Sequence, residues 1–145
     1  MLGSIDIMRA EGNLPSTVED VRLQPHMDKA VIELRRLLTS DIYNELEARA
    51  ADDEERRVCG IAEANLAMSY AVTSLNVETH GSGIVRSKGF DESRSELLSQ
   101  KEVEQLRTYY KNIAMELLEP FIPQFTSGEG TPDTLRRPTF KLMSL

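Results

Sequence analysis

Residues 27–38 of the chain read Met-Asp-Lys-Ala-Val-Ile-Glu-Leu-Arg-Arg-Leu-Leu, and this stretch decides the fold. Its apolar residues recur at steps of three and four, which places them in one stripe along a helix. They are Met27, Ala30, Val31, Leu34, Leu37 and Leu38. Ile42 and Leu46 extend the row at four-residue spacing, so the helix either continues to about Arg49 or breaks near residues 39–40.

A second helix follows from the acids at residues 52–55. Negative charge in a first turn stabilises a helix through its dipole, and acidic side chains can cap its free amides. The apolar stripe then continues along a segment rich in Ala and Ser, which predicts close approach of neighbouring helices. Its members are Val58, Ile61, Ala62, Leu66, Ser69, Val72 and Leu75.

A third helix begins at Ser99, because Ser99 and Glu102 have the spacing of a capping box, and Pro120 ends it. The core must be built mainly from aliphatic residues, because the chain has no Trp and its aromatic share is 6%. These features predict an all-α fold, a small bundle of three to four helices. The predicted buried face of the third helix consists of Val103, Leu106, Tyr110, Ile113, Leu117 and Leu118.

The chain of 145 residues has the length of one domain. Its helical body covers residues 24–75 and 99–119. Residues 1–23 are predicted to be an extended lead with at most one helical turn, which Gln24-Pro25 ends. Residues 120–145 are predicted to be an extended tail, since their glycines and prolines prevent a regular helix.

A long arm, residues 76–98, lies between the second and third helices. β-Branched residues flank its Gly81-Ser82-Gly83 centre, which predicts a possible β-hairpin that turns at these glycines. A lone hairpin is marginally stable in water, so pairing with a neighbouring subunit would stabilise it. A loop without a role is the alternative interpretation.

The net charge of −7 argues against a protein that wraps nucleic acid, because phosphate binding draws most of its affinity from Lys and Arg. The charge is unevenly distributed: residues 126–145 carry +1 and the rest of the chain carries −8. A basic tail on an acidic body favours docking on an acidic partner surface. No apolar run is long enough to cross a bilayer and residues 1–10 do not resemble a signal peptide, which predicts a protein made in the cytoplasm.

No residue set in the sequence indicates catalysis or a cofactor. The lone Cys59 lies at a predicted, partly buried helix position, and both histidines, His26 and His80, are predicted to be exposed. Glu78 with His80 would supply at most part of a metal site. The glycines and lysine of residues 81–88 lack the Walker spacing. We therefore expect no enzymatic activity, no cofactor and no metal site.

The tail has more apolar surface than a free tail should show, so something is expected to cover it. It either folds back on its own helices or inserts into a groove of another subunit. Its apolar residues are Phe121, Ile122, Phe125, Leu135, Phe140, Leu142, Met143 and Leu145.

From about Pro15 onward, the order of parts resembles the head-to-tail connector proteins of tailed bacteriophages, the adaptor family that lies under the portal. The lead carries Val18-Glu19-Asp20-Val21, Ile42-Tyr43 lies near the end of the first helix, and the second helix is rich in Ala. The long arm follows, and the last helix carries Tyr109-Tyr110-Lys111-Asn112-Ile113-Ala114 before the extended tail.

The resemblance implies a structural virion protein in the neck of the particle, assembled in the host cytoplasm as a twelve-membered ring on the portal. Its partners would be the portal protein, neighbouring copies of itself and the next tail or head-completion component. DNA would pass through the channel as non-specific cargo, without contact with a membrane. The predicted portal-docking residues are Arg136, Arg137, Phe140 and Leu142, and the predicted inter-subunit arm residues are Gly81, Gly83, Ile84 and Arg86.

Two other classes stay open at this point. A cytoplasmic regulatory or scaffolding helical module could form a homodimer through the same apolar surfaces. An enzyme built on a helical bundle would need a pocket with convergent polar groups, for which Glu78 and His80 are the first candidates.

Overall fold

The computed structural model of the chain describes residues 1–76 and 98–123, together with the backbone of residues 85–87 and 95–97. The all-α prediction is confirmed, since five helices and one short pair of strands make up these parts of the chain. In chain order they are α1 (Ile5–Gly12), α2 (Asp20–Leu38), α3 (Ser40–Ala48), α4 (Glu54–Asn76), β1 (Val85–Ser87), β2 (Ser95–Leu97) and α5 (Gln100–Leu118).

Helix α4 is the centre of the bundle and packs against α5, α2 and α1. Every residue from 59 to 69 is buried except the half-buried Ile61. A helix that is buried on all sides occupies the middle of a bundle, and the small residues Ala62, Ala64 and Ala67 allow its neighbours to come close. The sequence predicted one buried stripe along this helix, whereas the structure buries residues on all of its sides.

The prediction of an extended lead is wrong, because residues 5–12 form helix α1 and pack on α4. Ser4 caps the helix by accepting a 3.2 Å hydrogen bond from the Ile7 amide. Asn13 ends it in the left-handed conformation, with a φ of 48°. Met8 is the fully buried residue of this helix.

The predicted boundary at Gln24-Pro25 is also wrong, because α2 begins at Asp20 and runs through Pro25. A proline inside a helix removes the amide that would bond to the carbonyl of residue 21. Val21 is 71% exposed, so water can reach this part of the helix. Arg9 of α1 fixes the start of α2 by contacting the Val18 carbonyl and the Asp20 carboxylate.

The row of apolar residues after Leu38 belongs to a separate helix, because the chain breaks at Thr39. This residue has a φ of 72° and a ψ of 151°, outside any helix. The break turns α3 so that Tyr43 and Leu46 are buried. Of the two alternatives that the sequence leaves open, the break is the correct one.

The capping box of the last helix is present as predicted. The Ser99 hydroxyl accepts from the Glu102 amide at 3.3 Å, and the Glu102 carboxylate accepts from the Ser99 amide at 2.8 Å. Helix α5 ends at Leu118, two residues before Pro120. The prediction for this segment is confirmed at both ends.

The arm contains a short antiparallel ladder, in which Val85 pairs with Leu97 and Ser87 pairs with Ser95. This agrees with the predicted hairpin, but not with its predicted turn. Because of this register, residues 88–94 connect the two strands, and Gly81-Ser82-Gly83 precedes β1. The prediction relied on turn chemistry alone, whereas strand pairing decides which residues connect the strands.

Candidate interaction surfaces

One of the eight predicted contact residues lies within the described parts of the chain. Arg86 is in β1, where its backbone pairs with Glu96 of β2. The other seven lie outside the described residues, as do Glu78 and His80, so their predicted roles stay predictions. They are Gly81, Gly83, Ile84, Arg136, Arg137, Phe140 and Leu142.

A buried carboxylate on α4 joins three parts of the fold. Glu63 is fully buried and accepts hydrogen bonds from the Tyr43 hydroxyl at 2.8 Å and from the Gly3 amide at 3.0 Å. The Leu2 amide lies 3.5 Å from the same carboxylate. Burial raises the pKa of Glu63, although these hydrogen bonds oppose the shift. Its hydrogen-bond partners belong to the protein and no solvent reaches it. The Glu63 carboxylate therefore links α3, α4 and residues 2–3, and it has no open face for a substrate.

Two glycines bring the chain terminus within reach of this carboxylate. A Cβ on Gly60 of α4 would lie 2.7 Å from the Leu2 carbonyl oxygen, and a Cβ on Gly3 would lie 2.7 Å from the Gly60 carbonyl oxygen. Both distances are too short for a real Cβ. Only a residue without a side chain allows the backbone of residues 2–3 to contact the helix here.

His26 on α2 and Ser74 on α4 form a pair that resembles part of a catalytic dyad, but their hydrogen bonds oppose that function. The Ser74 hydroxyl donates its proton to the Ala71 carbonyl at 2.9 Å. In the tautomer in which His26 Nε2, 2.9 Å from the Ser74 oxygen, donates to the serine, the histidine cannot act as a base toward it. Burial and the nearby Lys29 lower the pKa of His26, and its buried Nδ1 has no hydrogen-bond partner.

Two further observations concern Cys59 and the potential metal ligands of the described residues. Cys59 is fully buried, and burial raises the pKa of its thiol to about 12, so it carries no thiolate at neutral pH. Among the described residues, no three His, Cys, Asp or Glu side chains are grouped so that they could hold a metal ion.

In the described parts of the chain, large apolar side chains are exposed on two different helices, α2 and α5. On α2, Val21 and Ile32 are 71% and 70% exposed. They are eleven residues apart, which puts them on one side of the helix about 16 Å from each other, and the exposed Pro25 and Asp28 lie between them. We call Val21, Pro25 and Ile32, the apolar residues on this side, the α2 surface. The second apolar surface is Tyr109 of α5, which is 57% exposed and contacts the buried Tyr110 edge to face.

The two surfaces lie on helices that each pack on α4. The sequence predicted that Tyr110 belongs to the buried face of its helix, and the structure agrees. The α2 surface was not predicted. Its signal was Ile32, a large apolar residue that does not belong to the stripe of its helix.

A shallow groove of about 330 Å³ lies at the C-terminal end of α5. Among the described residues, its walls combine two apolar side chains with two exposed carboxylates: Met115, Ile122, Glu116 and Glu119. Among the described residues, neither carboxylate has an ion-pair partner. The groove is adjacent to Pro123, from which the tail continues.

Comparison of the chain with known proteins identifies no relative, so any function has to be argued from the fold and from these surfaces. No family model, no curated protein and no solved structure matches the chain. None of the helices in the described residues is both long enough and apolar enough to cross a membrane.

Proposed function

We propose that this protein is a structural component of a tailed-phage virion, an adaptor that forms a ring beneath the portal. The order of its parts supports this: a helical body, an arm between the last two helices and a tail after α5. The tail docks on the portal through Arg136, Arg137, Phe140 and Leu142, and the arm contacts neighbouring copies through Gly81, Gly83, Ile84 and Arg86. The ring has twelve members.

The observation that carries the proposal is the pair of exposed apolar surfaces on two different helices. A ring needs a heterologous contact, in which one patch of each copy meets a different patch of the next. A twofold dimer needs only one patch that complements itself. The α2 surface and Tyr109 supply two such patches, because they lie on two different helices, α2 and α5, that each pack on α4.

The charge of the body suits the passage of DNA. Outside residues 126–145 the chain carries −8, so a channel lined by several copies repels phosphates. DNA then moves through the ring without adhering to it.

The proposal is tested by mixing two variants, each of which lacks one patch. Val21→Asp with Ile32→Asp removes the α2 surface, and Tyr109→Asp removes the other. Each variant alone should stay monomeric in light scattering while the unchanged chain forms rings in negative-stain images. Mixed together they should form one-to-one pairs, because each supplies the patch that the other lacks. Asn44→Asp, an exposed change on α3, is the control and should leave ring formation intact.

A contact of twofold symmetry gives a different result. Tyr109→Asp copies would then still dimerise through the α2 surface, and mixing would produce nothing new. A stable dimer that ignores the portal would support the regulatory or scaffolding module instead.

Portal docking has its own test. Removing the residues after Pro132 should abolish co-purification with the portal while the helical circular dichroism signal is unchanged. Unchanged binding of the shortened chain would refute the tail assignment. A tagged chain purified from its native source should bring down a large ring-forming partner at equal copy number.

A further inference from the structure

The groove at the end of α5 has an unusual combination of groups for a surface without a partner. Glu116 and Glu119 lie one turn apart, both exposed, and neither has an ion-pair partner among the described residues. Met115 and Ile122 provide half-buried apolar surface between and beside them. The groove therefore fits a segment that presents cationic groups next to apolar ones.

The chain carries such a segment beyond its described residues. Residues 135–142 read Leu-Arg-Arg-Pro-Thr-Phe-Lys-Leu, with three bases and no acid. Its two arginines complement the two carboxylates in number and sign. Leu135 and Phe140 on either side supply the apolar groups, and Pro138 favours an extended backbone.

The length of the chain between the two parts favours contact within one molecule. Leu135 is twelve residues beyond Pro123, which directly follows the groove residue Ile122. By random-coil statistics, a connection of twelve residues has a root-mean-square span of about 20 Å. A tether this short gives an effective concentration in the millimolar range, which exceeds that of a second copy in a dilute solution.

We infer that residues 135–142 of the same chain occupy the groove formed by Met115, Glu116, Glu119 and Ile122. The tail is thus held on its own body when no partner is present. This inference is independent of the proposed virion function, since it concerns the isolated chain. Where that function holds, portal docking has to displace the tail from the groove, and variants that release it dock more tightly.

The experiment uses the full chain with Val21→Asp and Ile32→Asp, which keep it monomeric if the unchanged chain forms a ring, and with a nitroxide label attached at Thr139→Cys. The native Cys59 is buried, and burial raises the pKa of its thiol to about 12, so the label reacts with the introduced thiol. Paramagnetic broadening of the Met115 and Ile122 amide signals is the readout. It should be strong in the otherwise unchanged chain and weaken in high salt, which screens exposed charges.

Charge reversal identifies the contacts. Glu116→Lys with Glu119→Lys should lower the occupancy of the groove about tenfold, because two attractive pairs become repulsive. Adding Arg136→Glu and Arg137→Glu to that chain should restore the broadening. Asp41→Lys with Glu45→Lys, two exposed acids one turn apart on α3, makes the same change of net charge away from the groove. It removes the Glu45–Arg49 ion pair but should leave the broadening of the groove amides unchanged.

Two results would overturn the inference. One is equal broadening before and after reversal of the groove charges. The other is broadening in a mixture of two kinds of chain, one isotope-labelled without a nitroxide and one with the nitroxide at natural isotope abundance. That result would assign the groove to the tail of a second copy. Neither result bears on ring formation, which the patch variants test separately.

Discussion

The hydroxyl of Tyr43 on α3 donates a 2.8 Å hydrogen bond to Glu63 Oε2 on α4, and both side chains are fully buried. The same carboxylate accepts the Gly3 amide, so one acidic group connects α3, α4 and the chain terminus. A buried carboxylate is costly unless its hydrogen bonds are satisfied. Its position therefore depends on all three elements being in place together.

This burial predicts that Glu63→Gln changes the pH dependence of stability. Burial raises the pKa of Glu63 above its ordinary value of 4.5, so the folded chain holds the proton more tightly than the unfolded chain. The free energy of unfolding then falls as the pH rises from about 4.5 through the raised pKa. Glutamine does not titrate and keeps an acceptor for the Gly3 amide. The variant should thus gain stability relative to the unchanged chain as the pH rises from about 4.5 through the raised pKa.

Urea unfolding across that pH range measures the difference. Glu104→Gln, which changes an exposed carboxylate paired with Arg107, is the control and should give a much smaller trend. Parallel stability curves for the unchanged chain and Glu63→Gln would show that the Glu63 carboxyl has an ordinary pKa after all.

A second prediction concerns Gly60. Replacing a helical glycine with alanine normally stabilises a protein by about 1 kcal/mol. Here the new Cβ would lie 2.7 Å from the Leu2 carbonyl oxygen, so residues 2–3 must move away and the Gly3 amide loses its bond to Glu63. A buried hydrogen bond that loses one partner costs roughly 1–3 kcal/mol, which outweighs the helix gain.

Gly60→Ala should therefore lower the melting temperature and speed hydrogen exchange of the Gly3 amide. Thr73→Ala, at an exposed position of the same helix, is the control that should leave that amide protected. A rise in melting temperature with unchanged Gly3 exchange would mean that the terminus does not rest on the helix.

The parts of the fold that the sequence predicted are those with local signals. The stripe of α2 and the capping box of Ser99 depend on residues within one or two turns of each other, which a pattern can show. Helix α1 was missed although Ser4 and Asn13 carry its start and stop signals, because its apolar pattern is too short to stand out.

The buried Glu63 could not be predicted for a different reason. A glutamate inside a helix is ordinarily exposed, and the groups that stabilise this one, Tyr43 and Gly3, are 20 and 60 residues away in the chain. Only the packing of α3 and the terminus on α4 brings them together. The α2 surface is similar, since the exposure of Ile32 depends on which neighbours α2 receives.

His26 provides a third prediction, with the opposite sign to Glu63. Burial and Lys29 lower its pKa from 6.5, so the folded chain binds this proton less tightly than the unfolded chain. Protonation would also place a hydrogen on the buried Nδ1, which has no acceptor. Stability should therefore be lost as the pH falls from about 6.5 through the lowered pKa.

His26→Gln should reduce this loss, because glutamine does not titrate and can still donate to Ser74. His80→Gln removes the other histidine of the chain and serves as the matched comparison. If unfolding curves at about pH 7 and about pH 5 shift equally in the unchanged chain and in His26→Gln, the histidine does not control acid stability.

The last prediction concerns the junction of α2 and α3. Thr39 has a φ of 72° and a ψ of 151°, a conformation that glycine adopts readily and a β-branched residue does not. Such strain costs roughly 1–3 kcal/mol, whereas glycine adds up to about 1 kcal/mol of unfolded-state entropy. Thr39 makes no side-chain capping bond, so its removal loses no contact of that kind.

Thr39→Gly should therefore raise the melting temperature by about 2–4 °C. Thr39→Ala keeps a Cβ in the same backbone conformation and should give little or none of this gain, which separates relief of backbone strain from loss of the threonine side chain. Equal melting temperatures for the two variants would place the effect in the side chain. A lower value for Thr39→Gly would mean that the rigidity of the junction matters more than its strain, because α3 must hold Tyr43 against Glu63.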